Sequence, residues 1–389
     1  MSLPALDVCV IRRKLFGGYI MARCVRCGSD SLLVSSPLEV CVNCIRTHYD
    51  EVEEHINNIH TKVRKTFKLP PSPPRDPDGR ECTNCINQCQ IPDGGRGYCA
   101  VRENLDGRLT DGKKQDGNFS FYHDSLPTNC VADWVCPAGT YAGYPDYSYT
   151  PGPEEGYTNL AVFVHSCTFN CLFCQNWHFR YDSTKPVSHG PDAIVDNADS
   201  KTTCVCYFGG DPTSQIDYLL HASQRAQKRH KDRILRFCWE TNGSMNPRYI
   251  KKIASLSLKS GGTIKFDLKA WNEDLNRALC GVSNRWTLDN FKRLASYIPQ
   301  RPDPPFLVAS TLLIPGYIDE DEVKNIAGFI ASLDPDIPYN LLAYAPQFYM
   351  NDLPTTSQIQ AERCFRAAQA AGLKKVKIGN LHLLNHVYY

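Results

Sequence analysis

The chain has 389 residues, 42% hydrophobic and 22% charged, with a formal net charge of +2, the balance of a soluble globular protein long enough for two or three domains and a large core. So small a charge excludes the broad basic surface that nucleic-acid binding requires, and the short basic clusters at residues 12–14 and 227–231 read as solvated faces. Nineteen cysteines exclude ordinary usage, yet a secreted disulfide scaffold would need a small chain behind a signal peptide. Here the apolar stretch 6–11 precedes Arg12, Arg13 and Lys14, the reverse of signal-peptide order, and no apolar run approaches membrane-spanning length. The expectation is a cytoplasmic, anaerobic metalloprotein with no membrane segment.

In chain order, residues 1–68 read as an N-terminal unit. Residues 1–20 form a dispensable leader if Met21 is an alternative start. Cys24-x2-Cys27 and Cys41-x2-Cys44 are two knuckles with the ligand arrangement of a zinc ribbon, with rubredoxin-like iron as the competing metal because the same four thiolates suit both. Ile45, Tyr49, Val52, Ile56, Ile59 and Val63 then recur at spacings of four and three, predicting one amphipathic helix for packing on the rest of the chain or on a partner. His48, His55 and His60 on that helix read as solvated or partly packed. Residues 69–79, LPPSPPRDPDG, predict a semi-rigid linker. Residues 80–158 form a cysteine-rich accessory region, in which Cys82, Cys85, Cys89 and Cys99 make either a second four-cysteine metal site, an auxiliary cluster or structural free thiols. Cys130 and Cys136 have no assigned role.

From residue 159 to 389 strands alternate with helices. Strands are predicted at 160–165, 203–208, 234–239, 263–268, 306–314 and 339–344, and helices at 216–229, 247–257, 287–297, 320–333 and 356–371. The fold class is therefore α/β, a partial (β/α)6 barrel preceded by a small cysteine-rich ribbon region and helix, with chemistry expected at the C-terminal ends of the strands. The first strand delivers Cys167, Cys171 and Cys174 in a C-x3-C-x2-C loop. Three cysteines so close can hold three irons of a [4Fe–4S] cube and leave the fourth open to a small molecule. A C-x2-C zinc knuckle with a stray cysteine is the competing reading.

Four turns follow at successive strand ends: Gly209-Gly210-Asp211-Pro212, Glu240-Thr241-Asn242-Gly243, Asp267-Leu268-Lys269 and Leu313-Ile314-Pro315-Gly316. The cysteine spacing, with Phe173 directly before the third cysteine, resembles the radical S-adenosylmethionine (SAM) superfamily. The turns resemble the GGEP-, (E/D)TNG-, DLK- and LxPG-type motifs of its glycyl-radical-enzyme activases and AmmeMemoRadiSam-type proteins. The likeness runs from about residue 81 to 389, taking in the G-x-C-x-V-R-x-N run at 97–104 and excluding the ribbon.

The resemblance implies that Cys167, Cys171 and Cys174 hold a [4Fe–4S] cluster whose open iron chelates SAM. It implies further that Phe173, Gly209, Gly210, Asp211, Glu240, Asn242 and Asp267 line the cofactor pocket, and that Lys269 faces a SAM or substrate carboxylate. Asp211 stands where Glu is usual. The last predicted strand departs from the pattern by offering Tyr344, Gln347 and Tyr349 where His and Arg are usual; Tyr344 and Tyr349 are candidate hydrogen-bond donors, metal ligands or electron relays, or else aromatic wall. The implied activity is reductive cleavage of SAM to a 5′-deoxyadenosyl radical that modifies an unactivated carbon of a peptide or protein, with a flavodoxin- or ferredoxin-type electron donor. One implied version is the cobalamin-dependent C-methylation of a glutamine in methyl-coenzyme M reductase, although no D-x-H-x-x-G cobalamin signature is present. The alternatives are a glycyl-radical-type activating enzyme and a non-catalytic iron–sulfur electron carrier.

Overall fold

The computed structural model describes residues 14–16, 19–110, 115–185 and 188–386; the leader reading for residues 1–20 falls largely outside them. Strands β1 (Lys14–Phe16), β2 (Tyr19–Arg23) and β3 (Asp30–Ser31) form a small antiparallel sheet at the ribbon. Helices α1 (Val42–Thr47) and α2 (Tyr49–Thr66) follow. The single helix expected over this stretch is thus two, because His48 leaves helical geometry at φ −147° and ψ 40°. The apolar stripe still works as one face: Ile45, Tyr49, Val52, Ile56 and Val63 are buried in the main core.

The segment 69–79 lies along its neighbours. Leu69 enters the core, and the Arg75 guanidinium donates to the carbonyls of Asn87 and Gln88 at 2.7 and 2.8 Å. Two short hairpins, β4 (Arg80–Glu81) with β5 (Gln90–Ile91) and β6 (Glu103–Leu105) with β7 (Arg108–Thr110), frame the cysteine-rich region.

The main sheet contains β8 (Phe119–Ser125), β9 (Thr158–Val164), β10 (Thr202–Gly209), β11 (Arg236–Thr241), β12 (Ile264–Asp267), β13 (Leu307–Leu313), β14 (Tyr339–Ala343) and β15 (Val376–Gly379), in chain order across the sheet. Strands β9 to β15 are parallel, and β8 pairs antiparallel with β9 at the edge. Between them run α3 (Phe179–Asp182), α4 (Ala193–Asn197), α5 (Ile216–Arg229), α6 (Ile250–Ser260), α7 (Glu273–Cys280), α8 (Arg285–Ala295), α9 (Glu320–Leu333) and α10 (Gln358–Ala370).

All six predicted strands are present. The sheet adds β8 and β15, and α3, α4 and α7 were not anticipated. Helix α7 is short, but Asn272 caps it by accepting from the Leu275 N–H at 2.8 Å, and Gly281 ends it in the left-handed conformation. Strand side chains alternate, so Val205, Tyr207, Phe237 and Trp239 pack outward under the helices. Ala161, Cys206, Glu240, Lys265, Leu312, Leu342 and Ile378, one from each parallel strand, face a common cavity of about 840 Å³. The parallel sheet is therefore curled around that cavity as a partial barrel.

The ribbon docks on the barrel beside the turn after β13. The Tyr317 hydroxyl donates to the Val40 carbonyl at 3.1 Å and accepts from the Ser35 N–H at 3.0 Å. Arg46 grips Asp319 at 2.7 and 2.9 Å, just before α9. Gly316 is required there, because a Cβ would stand 2.2 Å from the Leu33 carbonyl oxygen.

Candidate iron–sulfur and SAM site

The loop after β9 is held from below by α7. The Asn170 and Leu172 N–H groups donate to the carbonyls of Cys280 and Leu279 at 2.8 and 2.9 Å. With its backbone fixed, the loop turns Cys167, Cys171 and Cys174 into the cavity. The Cys167 sulfur accepts from the Phe169 N–H at 3.4 Å and faces the Asn242 amide at 3.9 Å. Burial pushes the thiols of Cys167 and Cys174 up, and a hydrogen bond with the Cys280 thiol pushes up that of Cys171. A metal bound here would therefore displace protons.

Arg180 stands beside these thiols. It is 1% exposed, donates to the Asn170 side-chain oxygen at 3.3 Å, hydrogen-bonds Cys174 and leaves its Nε unpartnered among the described residues. A buried guanidinium with a spare donor beside three thiols fits an anionic thiolate-bound cluster. Asn170 is held in turn by His60 of α2, whose Nδ1 accepts from the Asn170 amide at 3.0 Å while its Nε2 donates to the Ala278 carbonyl at 3.0 Å. Burial pulls the His60 pKa down to about 4, so the ring stays neutral in these two roles. The reading of His60 as a solvated or partly packed residue gives way to a fully enclosed one.

The glycine turn after β10 sits against the cysteine loop. At Gly210 a Cβ would lie 2.0 Å from the Ser166 carbonyl oxygen, and Gly209 has φ +105°. Asp211 is buried and its carboxylate accepts from the N–H groups of Thr213 and Asn242 at 2.8 and 2.6 Å and from the Thr241 hydroxyl at 3.1 Å. Burial raises its pKa although all three donors oppose the shift. The side chain thereby ties the turn after β10 to the turn after β11. Asn242 continues the tie, donating to the Thr168 hydroxyl at 2.9 Å.

Phe173, Gly209, Gly210, Asp211, Glu240, Asn242, Asp267 and Lys269 all line the one cavity with the three loop cysteines. Lys269 pairs with Asp267 at 2.7 Å and lies 5.8 Å from the Phe173 ring centre; burial would lower its pKa, but the carboxylate overrides this and raises it. Glu240 is engaged by Lys265 at 2.7 Å. Tyr344 and Tyr349 are not brought to this wall. Tyr344 is fully buried and its hydroxyl donates to the Met350 carbonyl, while the Tyr349 hydroxyl meets Thr66 at 3.4 Å. Gln347 reaches the cavity, and so do Asn176, Arg180 and His382, which sequence reasoning did not single out. Arg180 and Asn176 follow Cys174 within six residues, the one signal that pointed to them; His382 follows β15, a strand left unpredicted.

At the ribbon, the sulfurs of Cys24, Cys27, Cys41 and Cys44 all lie within 4.8 Å of one another. That is single-ion spacing for four thiolates. Hydrogen bonds from Ser29 lower Cys27 to about 6, whereas burial lifts Cys44 to about 12. Cys82, Cys85 and Cys89 lie between β4 and β5 and Cys99 beyond β5; the first three are buried, and the Cys89 sulfur accepts from the Tyr98 N–H at 3.3 Å. Among the described residues no helix is long and apolar enough to cross a membrane.

Residues 162–330 match a model of the radical SAM superfamily. An uncharacterized protein of Methanocaldococcus jannaschii is 24% identical over 307 residues, spanning 77% of this chain and 81% of its own. A putative glycyl-radical enzyme activating enzyme of the same organism is 30% identical over 200 residues, 50% of this chain and 69% of its own. The pyruvate formate-lyase 1-activating enzyme of Escherichia coli is 23% identical over 178 residues, 43% of this chain and 65% of its own. The chain belongs to the radical SAM superfamily, with glycyl-radical-enzyme activases among its relatives.

Proposed function

We propose that this enzyme removes a hydrogen atom from an unactivated carbon of a peptide or protein substrate, in the manner of an activating enzyme. The observation that carries this reading is the convergence of Cys167, Cys171 and Cys174 with the turns holding Gly210, Asn242 and Lys269 on one cavity. When bound, a [4Fe–4S] cluster with SAM supplies an electron that cleaves SAM to methionine and a 5′-deoxyadenosyl radical, the hard step that belongs to the cofactor.

The chain's own residues bind, orient and shield. Cys167, Cys171 and Cys174 ligate, and Arg180 and Asn242 stabilise their charge. Gly209 and Gly210 let a ligand approach the backbone, with Phe173, Asp211, Glu240 and Asp267 shaping the pocket. Lys269 offers an ammonium to a carboxylate. The cavity is of a size for a cofactor and one projecting side chain, which suits a polypeptide offering a single residue at the mouth. The ribbon cysteines fit structural zinc, and Cys82, Cys85, Cys89 and Cys99 are candidates for a further metal site or auxiliary cluster, or else structural thiols. An external donor of flavodoxin or ferredoxin class would supply the electron.

The test is anaerobic incubation of the reduced enzyme with SAM, with and without cobalamin, quantifying 5′-deoxyadenosine and S-adenosylhomocysteine. Deoxyadenosine formation lost in Cys171→Ala is expected; equal formation by the variant would sink the reading. S-adenosylhomocysteine rising in a cobalamin-dependent way would assign the enzyme to C-methylation instead.

A further inference from the structure

The floor of the barrel carries a thiol cluster that the SAM site does not use. Residues 126–139 cross beneath the N-terminal ends of the strands, where the Val131 carbonyl accepts from Asn340 at 3.0 Å and Asp133 pairs with Lys377 at 3.1 Å. This strap brings Cys130 and Cys136 against Cys204 and Cys206 of β10 and Cys238 of β11, and all five line the cavity. Parallel register sets Cys206 directly opposite Cys238.

Cys204 packs with Leu126 and Ala138, and Cys136 lies against them, but the floor thiols also meet charged groups. The Lys265 ammonium enters between Cys130 and Cys206, 3.1 and 3.2 Å from their sulfurs. Arg236 directs Nε and Nη2 at the Cys204 sulfur from 3.2 and 3.0 Å. Cys238 hydrogen-bonds Cys204 and accepts from the Thr263 N–H at 3.4 Å. Both cations are shared with carboxylates, Lys265 with Glu240 at 2.7 Å and Arg236 with the buried Glu154, and the Cys130 thiol also donates to Glu240 at 3.6 Å; the N–H groups aimed at sulfur are nonetheless donors of the kind that thiolate ligands accept from.

Spacing indicates what the thiolates would hold. Among the described residues only the ribbon thiols converge within 4.8 Å of one another as ligands of a single ion do. The floor cysteines form no such single-ion group, although Cys204 and Cys238 lie within hydrogen-bond reach of each other; five thiols on one cavity supply the several ligands that a cluster, with its thiolates on different irons, requires. We propose that Cys130, Cys206 and Cys238, with Cys204 or Cys136, ligate a second iron–sulfur cluster on the barrel floor, inside the cavity whose upper end carries the SAM site.

The test uses the full chain, anaerobically reconstituted with ferrous iron and sulfide, in two backgrounds: Cys167→Ala/Cys171→Ala/Cys174→Ala alone, and the same with Cys206→Ala/Cys238→Ala added. Iron and sulfide are quantified with Mössbauer spectra, and circular dichroism checks the fold. The floor substitutions are expected to remove a further roughly two to four irons per chain, the content of one cluster. Because the loop is already disabled, this difference is independent of the SAM reading, and any cluster at Cys82, Cys85, Cys89 and Cys99 contributes equally to both. Unchanged iron and sulfide would overturn the proposal, as would a Cys204–Cys238 disulfide found by mass spectrometry in reconstituted protein. Should the combined variant fail to fold, Cys206→Ser in the otherwise intact chain is read by electron paramagnetic resonance. A shifted second cluster signal supports the site, and a spectrum identical to the parent's rejects it.

Discussion

Arg180 shows how one side chain can decide whether a ligand loop works. Its guanidinium is buried beside Cys174 and bonded to Asn170, so under the proposed cluster reading it opposes the charge that three thiolates accumulate in a medium that screens poorly. Arg180→Met keeps the volume and deletes the charge, and outer-shell losses of this kind cost roughly 10- to 100-fold in metal affinity. The variant is expected to hold cluster iron that much more weakly in equilibrium competition with a chelator; equal retention would remove Arg180 from this role. Gly210→Ala is the steric counterpart. A Cβ 2.0 Å from the Ser166 carbonyl must displace either the glycine turn or the cluster loop. A destabilisation of about 1–3 kcal/mol is expected, read from urea unfolding, together with weakened SAM binding.

At the scale of elements, the cluster loop rests on α7 and is tied to α2 through His60 and Asn170. The His60 pKa, about 4 in the fold against an ordinary 6.5, sets a pH window. Below pH 6.5 the unfolded chain takes up a proton that the folded ring refuses until about pH 4, so stability falls as pH falls across that interval. The loss amounts to about 3 kcal/mol at the lower end. His60→Gln, which cannot titrate, is expected to flatten this part of the profile. Denaturant midpoints for both proteins at pH 7 and 4.5 check it; parallel profiles would show that His60 is not the group responsible.

For the whole molecule, the ribbon behaves as a brace for the barrel. Ser35, Val40 and Arg46 meet Tyr317, Asp319 and Glu322, so the metal knuckles secure the turn after β13 and the start of α9. Removing the ribbon metal is expected to raise hydrogen exchange in residues 315–322 while β9 to β11 stay protected, since local opening follows the loss of local contacts. Arg46→Ala should reproduce part of that change with the metal retained. Exchange confined to residues 24–44 on metal removal would show that the ribbon folds without bracing its neighbour.

Chemistry confined to a few neighbouring residues was determined by the sequence itself. The close spacing of Cys167, Cys171 and Cys174, the paired ribbon knuckles and the alternation of six strands with helices follow from backbone reach and hydrophobic period, and the glycine turns were legible through their resemblance to family motifs. Strand β8 and helix α7 carry weaker local signals, being a half-exposed edge and an eight-residue helix. Other features were decided by tertiary structure alone. Tyr344 and Tyr349 sit at the predicted strand end, yet packing turns them from the cavity and admits Gln347 and His382. His60 lies 110 residues from Asn170, and Lys265 lies 135 from Cys130. Such meetings depend on strand register, on the path of the strap beneath the barrel and on which face of α2 is buried, quantities set by the assembled core and by no short stretch of chain.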